Sequence, residues 1–389
     1  MKVAFLSAGL GALLLLTGCA TTPQAKRLPL TGDALTDGKM HIEQGPPNDR
    51  VLWQYRTALV ALRRGDYPEA KALLDDAILS IGGILANDKD ARKARSMFAT
   101  ESRKKFIGEP YERVMAYYYR GILYWMDGEP DNARACFRSG QLIDSDTEVD
   151  KYSADYVLLD YLDGLASDKL FTDGSDAFKR AQTNANAKAD APPAYDRAAN
   201  VLFFTDCGNA PQKYSSGQYR EQLRFREGPQ QARVVTIKLN NGQVIRTRPW
   251  DDLFFQATTR GGRVMDHILA NKAVFKQSTD TVGDAAVISG AVLASNRNTQ
   301  EAGLGVLAFG LLSKVVAAST TPAADTRTWD NLPQFLGFGA LRVAPGTYTA
   351  QVEFQDGAGR LLSNLSRSLT FEVKAADRDT VVYISDKQK

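Results

Sequence analysis

Two histidines stand in the whole chain, His41 and His267. That scarcity argues against a His-type metal site, and the sequence contains neither a zincin motif nor a Gly-x-Ser-x-Gly elbow. Gly303-Leu304-Gly305 follows no strand pattern, so a dinucleotide fingerprint is missing as well. Glycoside chemistry would need two carboxylates facing one bond. The adjacent acids Asp75-Asp76 and Asp251-Asp252 are the pairs that could offer it, although such neighbours are more often plain surface charge. Asp325, Arg327 and Trp329 could form a ligand site, or Arg327 could clamp a carboxylate and lock the returning chain into a strand domain. Cys136 and Cys207 could bridge in an oxidising compartment or remain two isolated thiols. No catalytic residue, metal or cofactor is expected.

The elements that would position these residues begin with an internal repeat. Gly121, Tyr124, Gly128, Ala133, Phe137 and Gly140 are spaced by 3, 4, 5, 4 and 3, and Ala58, Ala61, Gly65, Ala70, Leu74 and Ala77 repeat those intervals. Steps of 3 and 4 lie on one helical face, while the step of 5 spans a turn at Gly65-Asp66 or Gly128-Glu129-Pro130. Each unit therefore reads as two helices crossing at small residues. The pattern resembles the tetratricopeptide repeat. On the inner face of such an array the first unit would place Leu52, Tyr55, Leu59 and Leu62, and the second Met115, Tyr118, Ile122 and Trp125. That apolar groove should either receive a partner helix or be covered by the chain itself. A degenerate pair is expected between Ser80 and Glu112, where a run of Lys and Arg reads as a solvated or anion-binding face. A divergent third pair is expected over Tyr152 to Lys169 and Ser175 to Ala187.

At the N-terminus, Lys2 precedes an apolar run from Val3 to Leu16, short for a membrane span and suited to a signal peptide over 1–18. Leu16-Thr17-Gly18-Cys19 resembles the bacterial lipoprotein box, which implies acylation at Cys19. Ala20 follows, rather than the Asp that resembles an inner-membrane retention signal, so the implied address is the outer membrane, facing the periplasm. Residues 19–49, polar and rich in Pro and Gly, read as a flexible tether and 50–190 as the helical domain.

Beyond Asn200 short alternating runs take over: Val201 to Phe204, Arg233 to Leu239, Gln243 to Thr247, Leu341 to Val343, Thr347 to Phe354, Ser368 to Val373 and Thr380 to Ser385. Tight turns at Asn240-Asn241-Gly242, Pro345-Gly346 and Asp356-Gly357 separate several of them, which predicts a β-sandwich over 200–389. A Gly-rich helical hairpin at about 280–320 would be inserted in it, buried or touching a membrane. The fold class expected is thus α+β, with tetratricopeptide-like helices before a sandwich.

Four stretches, Gly108 to Arg113, Tyr119 to Gln141, Gly208 to Lys213 and Ala324 to Pro333, together resemble an uncharacterised family of bacterial lipoproteins with tetratricopeptide repeats. That resemblance brings no catalytic residues. It implies a non-enzymatic scaffold for envelope assembly, with peptidoglycan as one candidate, holding an unidentified envelope protein. The alternatives are an accessory of an export machine with a membrane-touching hairpin, or a glycan-acting enzyme. With 389 residues and a formal charge of +3, the chain has room for two or three domains and offers nucleic acid little attraction.

Overall fold

The computed structural model describes residues 28–87, 105–145, 153–187, 196–229, 232–259 and 323–388. It is a mixed α and β structure, helical first and then mostly strands. The basic run over 89–104, the Gly-rich hairpin at 280–320 and Cys19 lie outside the described residues.

Helix α1 (Ala34–Gln44) corrects the expectation of a flexible tether reaching to residue 49. Asp33 caps it by accepting from Thr36 N at 2.8 Å, and its flank docks on α2 (Arg50–Arg64) through a ring stack of His41 on Trp53, 3.8 Å apart. A Cβ at Gly38 would lie 2.2 Å from Thr57 Oγ1, so only glycine permits that approach. A polar composition hid a helix whose stability comes from this docking.

Three helical pairs follow: α2 with α3 (Tyr67–Asn87), α4 (Pro110–Met126) with α5 (Pro130–Asp144), and α6 (Val157–Lys169) with α7 (Ser175–Ala187). Local chemistry sets their limits. Gly65 closes α2 in the left-handed region at φ +77°, and its N–H donates to Ala61 and Leu62 carbonyls. Pro110 and Pro130 occupy first-turn positions, and a reciprocal capping box joins Glu109 to Glu112. Gly121 lies where α4 crosses α5: a Cβ there would meet the Phe137 ring at 2.6 Å. Alanine's better helix propensity is worth about 1 kcal/mol, against about 1 to 3 kcal/mol for overpacking a tight core. Gly121→Ala should therefore show a net loss of about 1 kcal/mol in urea unfolding, and a gain would mean that the crossing yields.

Two four-stranded sheets share a core. In the first the order is β10 (Thr380–Ser385), β1 (Val201–Cys207), β7 (Phe335–Leu341), β6 (Pro249–Asp252); in the second it is β5 (Val244–Thr247), β4 (Val234–Leu239), β8 (Gly346–Gln355), β9 (Arg367–Val373). Only β1 and β10 among these neighbours run parallel, Val201 facing Thr380 and Asp206 facing Ser385. Phe203, Ile237, Val352, Phe354 and Ile384 fill the space between the sheets. The other face of the first sheet, with Leu202, Phe204, Leu336 and Phe338, joins the core of the helices. Covered on both sides, β1 is buried along its whole length, which is why its sequence does not alternate.

The strand expected at Leu341 to Val343 begins instead at Phe335. Gly337 and Gly339 obscure it in the sequence, and their purpose is contact: a Cβ at Gly337 would lie 2.5 Å from Thr205 Oγ1, and one at Gly339 2.5 Å from Ile245 Cδ1. The described residues also include a separate hairpin, β2 (Gln212–Ser216) and β3 (Gln222–Arg226), and a short helix α8 (Leu253–Thr258).

Candidate functional site

All eight residues of the expected inner face, Leu52, Tyr55, Leu59, Leu62, Met115, Tyr118, Ile122 and Trp125, are buried, and the chain itself contributes to the cover. Trp329, in the segment leading to β7, stacks on Tyr55 at 4.3 Å between ring centroids and 13° between planes. Tyr118 meets Phe204 of β1 edge-on at 6.3 Å, and Trp125 Nε1 donates to Asp379 Oδ2 at 3.0 Å. The groove is therefore a seam between helices and strands.

Glu112 is the polar hub of that seam. One oxygen accepts from Trp329 N at 2.7 Å and Thr328 Oγ1 at 3.3 Å, the other from Glu109 N at 2.7 Å and Lys213 Nζ at 2.6 Å. Glu112 and Lys213 are almost wholly withdrawn from water, at 0% and 2% side-chain exposure. Lys213 also donates to the Arg327 carbonyl at 2.9 Å. Three of the stretches that carry the lipoprotein resemblance thus meet at one carboxylate, a convergence that spacing along the chain does not reveal.

Arg327 clamps Asp325, with Nη2 2.6 Å from Oδ2. Its Nη1 reaches Asp49 Oδ1 at 2.7 Å and the Asn48 carbonyl at 3.3 Å, so the clamp ties the returning chain to the start of α2. Arg56 adds a bond to the Thr328 carbonyl at 2.8 Å, and Arg63 one to that of Asn331 at 2.7 Å. Long side chains on α2 reach carbonyls that no strand partner satisfies.

Deeper in the seam, Asp206 is the penultimate residue of β1. Its Oδ2 accepts from Tyr119 and Tyr383 hydroxyls, both at 2.7 Å. Burial pushes its carboxyl up to about 6, against the opposing pull of the two tyrosines and Arg63. Nearby Lys387 is pushed down to about 8 by burial and Arg63, and its Nζ donates to the Leu332 carbonyl at 2.9 Å. The signal available for Asp206 was a lone acid in a strand that is apolar apart from it and Thr205.

A raised folded-state pKa means that the folded protein holds this proton more tightly than the unfolded chain. The stabilisation is complete below about pH 4 and is lost as pH rises through about 6. Asp206→Asn, which keeps an acceptor for the tyrosines, should remove that slope. Relative to the parent it should gain up to about 3 kcal/mol between pH 4 and pH 7. Urea midpoints at both pH values check it; a constant offset would mean that ionisation of Asp206 costs nothing.

The acid pairs do not converge on a common point. Asp75 holds Arg120 at 2.6 Å and 3.0 Å, and Asp76 takes Arg50 at 3.2 Å and also Gln54. Asp251 caps α6 from β6, accepting from Val157 N at 3.0 Å and Leu158 N at 2.8 Å, whereas Asp252 caps α8 through Phe254 N at 2.8 Å. Consecutive strand residues point to opposite faces, so each serves a different helix. Cys136 and Cys207 are both free and buried, the second of the two alternatives left open for them. Cys207 belongs to the core between the sheets, while Cys136 sits on α5 with its thiol pushed up to about 11 by burial. A buried pair, Lys169 and Asp379, fastens the end of α6 to the approach to β10. No protein-family model matches the chain, and no curated protein matches it.

Proposed function

We propose that this protein is a non-enzymatic scaffold, lipid-anchored at Cys19 to the periplasmic face of the outer membrane, holding a protein partner during envelope assembly. In this reading the helical pairs are tetratricopeptide-like repeats and the two sheets form a β-sandwich. The small-residue crossing at Gly121, the left-handed turn glycines Gly65 and Gly128, and the shared core around Phe203 and Phe354 support those finer descriptions.

The observation that carries the scaffold reading is the seam itself. Its charged and aromatic side chains hold helices to strands: Glu112 and Lys213 bind each other, Trp329 fills the groove and Asp379 joins Lys169. A partner then has to use the outer surface. Leu79 and Leu142 occupy the same repeat position on the second helices of their pairs, and both are 75% exposed.

Labelled palmitate should enter the parent and not Cys19→Ser, and fractionation should move the variant out of the outer membrane. A photo-crosslinker at Leu142 should capture one partner that a crosslinker at buried Trp329 does not. Unchanged acylation in Cys19→Ser would end the anchor reading, and the absence of any protein crosslink from Leu79 and Leu142 would end the scaffold reading.

A further inference from the structure

One concavity lies away from the seam. Arg233 just before β4, Arg246 on β5 and Arg248 between β5 and β6 line a cleft of about 240 Å³, closed on one side by the turn that holds Asp356, Gly357 and Gly359. All three arginines are exposed. Among the described residues none of them has a carboxylate within ion-pair distance. Arg246 Nη2 donates to Gln355 Oε1 at 3.2 Å, and the Arg233 guanidinium stands 4.9 Å from the centroid of the Phe335 ring.

The acid in the lining does not neutralise them. Asp356 Oδ1 accepts from the backbone N–H of Arg360 and of Ala358, both at 2.9 Å, and Oδ2 from Arg360 Nε at 2.8 Å. The backbone bond from Arg360 leads in holding this carboxyl below the ordinary range, with the Arg360 side chain adding to it. Asp356 and Arg360 therefore cancel each other locally, which leaves the charge of three guanidiniums around one opening. Like charges so placed repel, and salt screens them only in part. Surfaces ordinarily intersperse the two signs.

We propose that this cleft binds a phosphate group. Each guanidinium presents a fork of donors matched to two oxygens of an oxyanion, and three forks offer more than a carboxylate's two oxygens can accept. A phosphate accepts several forks at once and can carry the charge that balances them. Cation–π contact with Phe335 holds Arg233 in place before the ligand arrives, which lowers the ordering cost. The group could belong to a free phosphorylated solute or to a lipid headgroup, and the cleft's chemistry is the same for both. The inference does not rest on the scaffold reading.

The test has two arms, each on the protein from residue 19 onward carrying Cys19→Ser, so that neither the apolar run at 3–16 nor an acyl chain contributes. Calorimetric titration with inorganic phosphate, against acetate at matched ionic strength, reads the first source. Flotation with vesicles of equal parts phosphatidylglycerol and phosphatidylcholine, against phosphatidylcholine alone, reads the second. Binding in at least one arm should be saturable, about tenfold weaker in Arg248→Gln and weaker still in Arg246→Gln/Arg248→Gln, as expected for loss of charge-assisted bonds. Lys238→Gln, whose amine pairs with Glu353 outside the cleft, should bind like the parent. Matched melting curves are expected, since the substituted side chains are exposed. Arginine-dependent binding of inorganic phosphate alone assigns a free solute, and of vesicles alone a headgroup. Binding in neither arm, or binding that survives the double substitution, overturns the proposal.

Discussion

Trp329→Ala should lower the unfolding free energy by about 3 to 5 kcal/mol, the range for truncating a core aromatic. The indole is fully buried, stacks on Tyr55 and lies 6.0 Å from the Tyr119 ring, so its removal opens a void on the helical side of the seam. The loss should be felt by both halves of the molecule. Hydrogen exchange in α2 and in β7 should accelerate together, because Trp329 precedes β7 while its ring packs on α2. Trp53, half-buried against His41, gives the comparison: Trp53→Ala should cost less. If Trp329→Ala melted within about 1 kcal/mol of the parent, far below the usual core range, the groove would not depend on this segment for its cover.

Glu112→Ala should be at least as damaging. It strands the Lys213 ammonium in a site with 2% exposure, and it removes the acceptor of the Trp329, Thr328 and Glu109 bonds. Breaking a buried pair from one side typically costs about 3 to 5 kcal/mol. Lys213→Met, which strands the carboxylate instead, should fall in the same range. The double variant Glu112→Ala/Lys213→Met leaves neither charge unpaired, although the Trp329, Thr328 and Glu109 donors still lose their acceptor. Its loss should be smaller than the sum of the single losses by about 2 kcal/mol or more, a coupling that a double-mutant cycle in urea measures. Additive losses would show that the two charges do not depend on each other.

What could be read along the chain was what neighbours within a few residues decide. Steps of 3 and 4 gave the crossing faces of the first two helical pairs, and Gly65 and Gly128 marked turns that need a left-handed residue. The third pair was harder to see. Its left-handed turn position is held by Phe171 at φ +58°, and Ala177 stands six residues on, where the other units have a step of five. Alternation marked β4, β8 and β9, each with one polar face, but it failed for β7, whose glycines admit neighbouring side chains. It also failed for β6, which spends its acids on helix caps.

The sequence by itself determined the helical pairs and the apolar stripe along their inner face, since periodicity and capping act over one or two turns. It also determined that the stripe had to be covered. Only the tertiary structure decided what covers it, because the partners of that face are chosen by packing across long separations. Glu112 and Lys213 are 101 residues apart, and Arg56 and the Thr328 carbonyl 272. Between such residues no local pattern carries information. Their pairing is set when the helices and the sheet jointly exclude water, which makes each buried charge and each unpaired carbonyl find the one partner within reach.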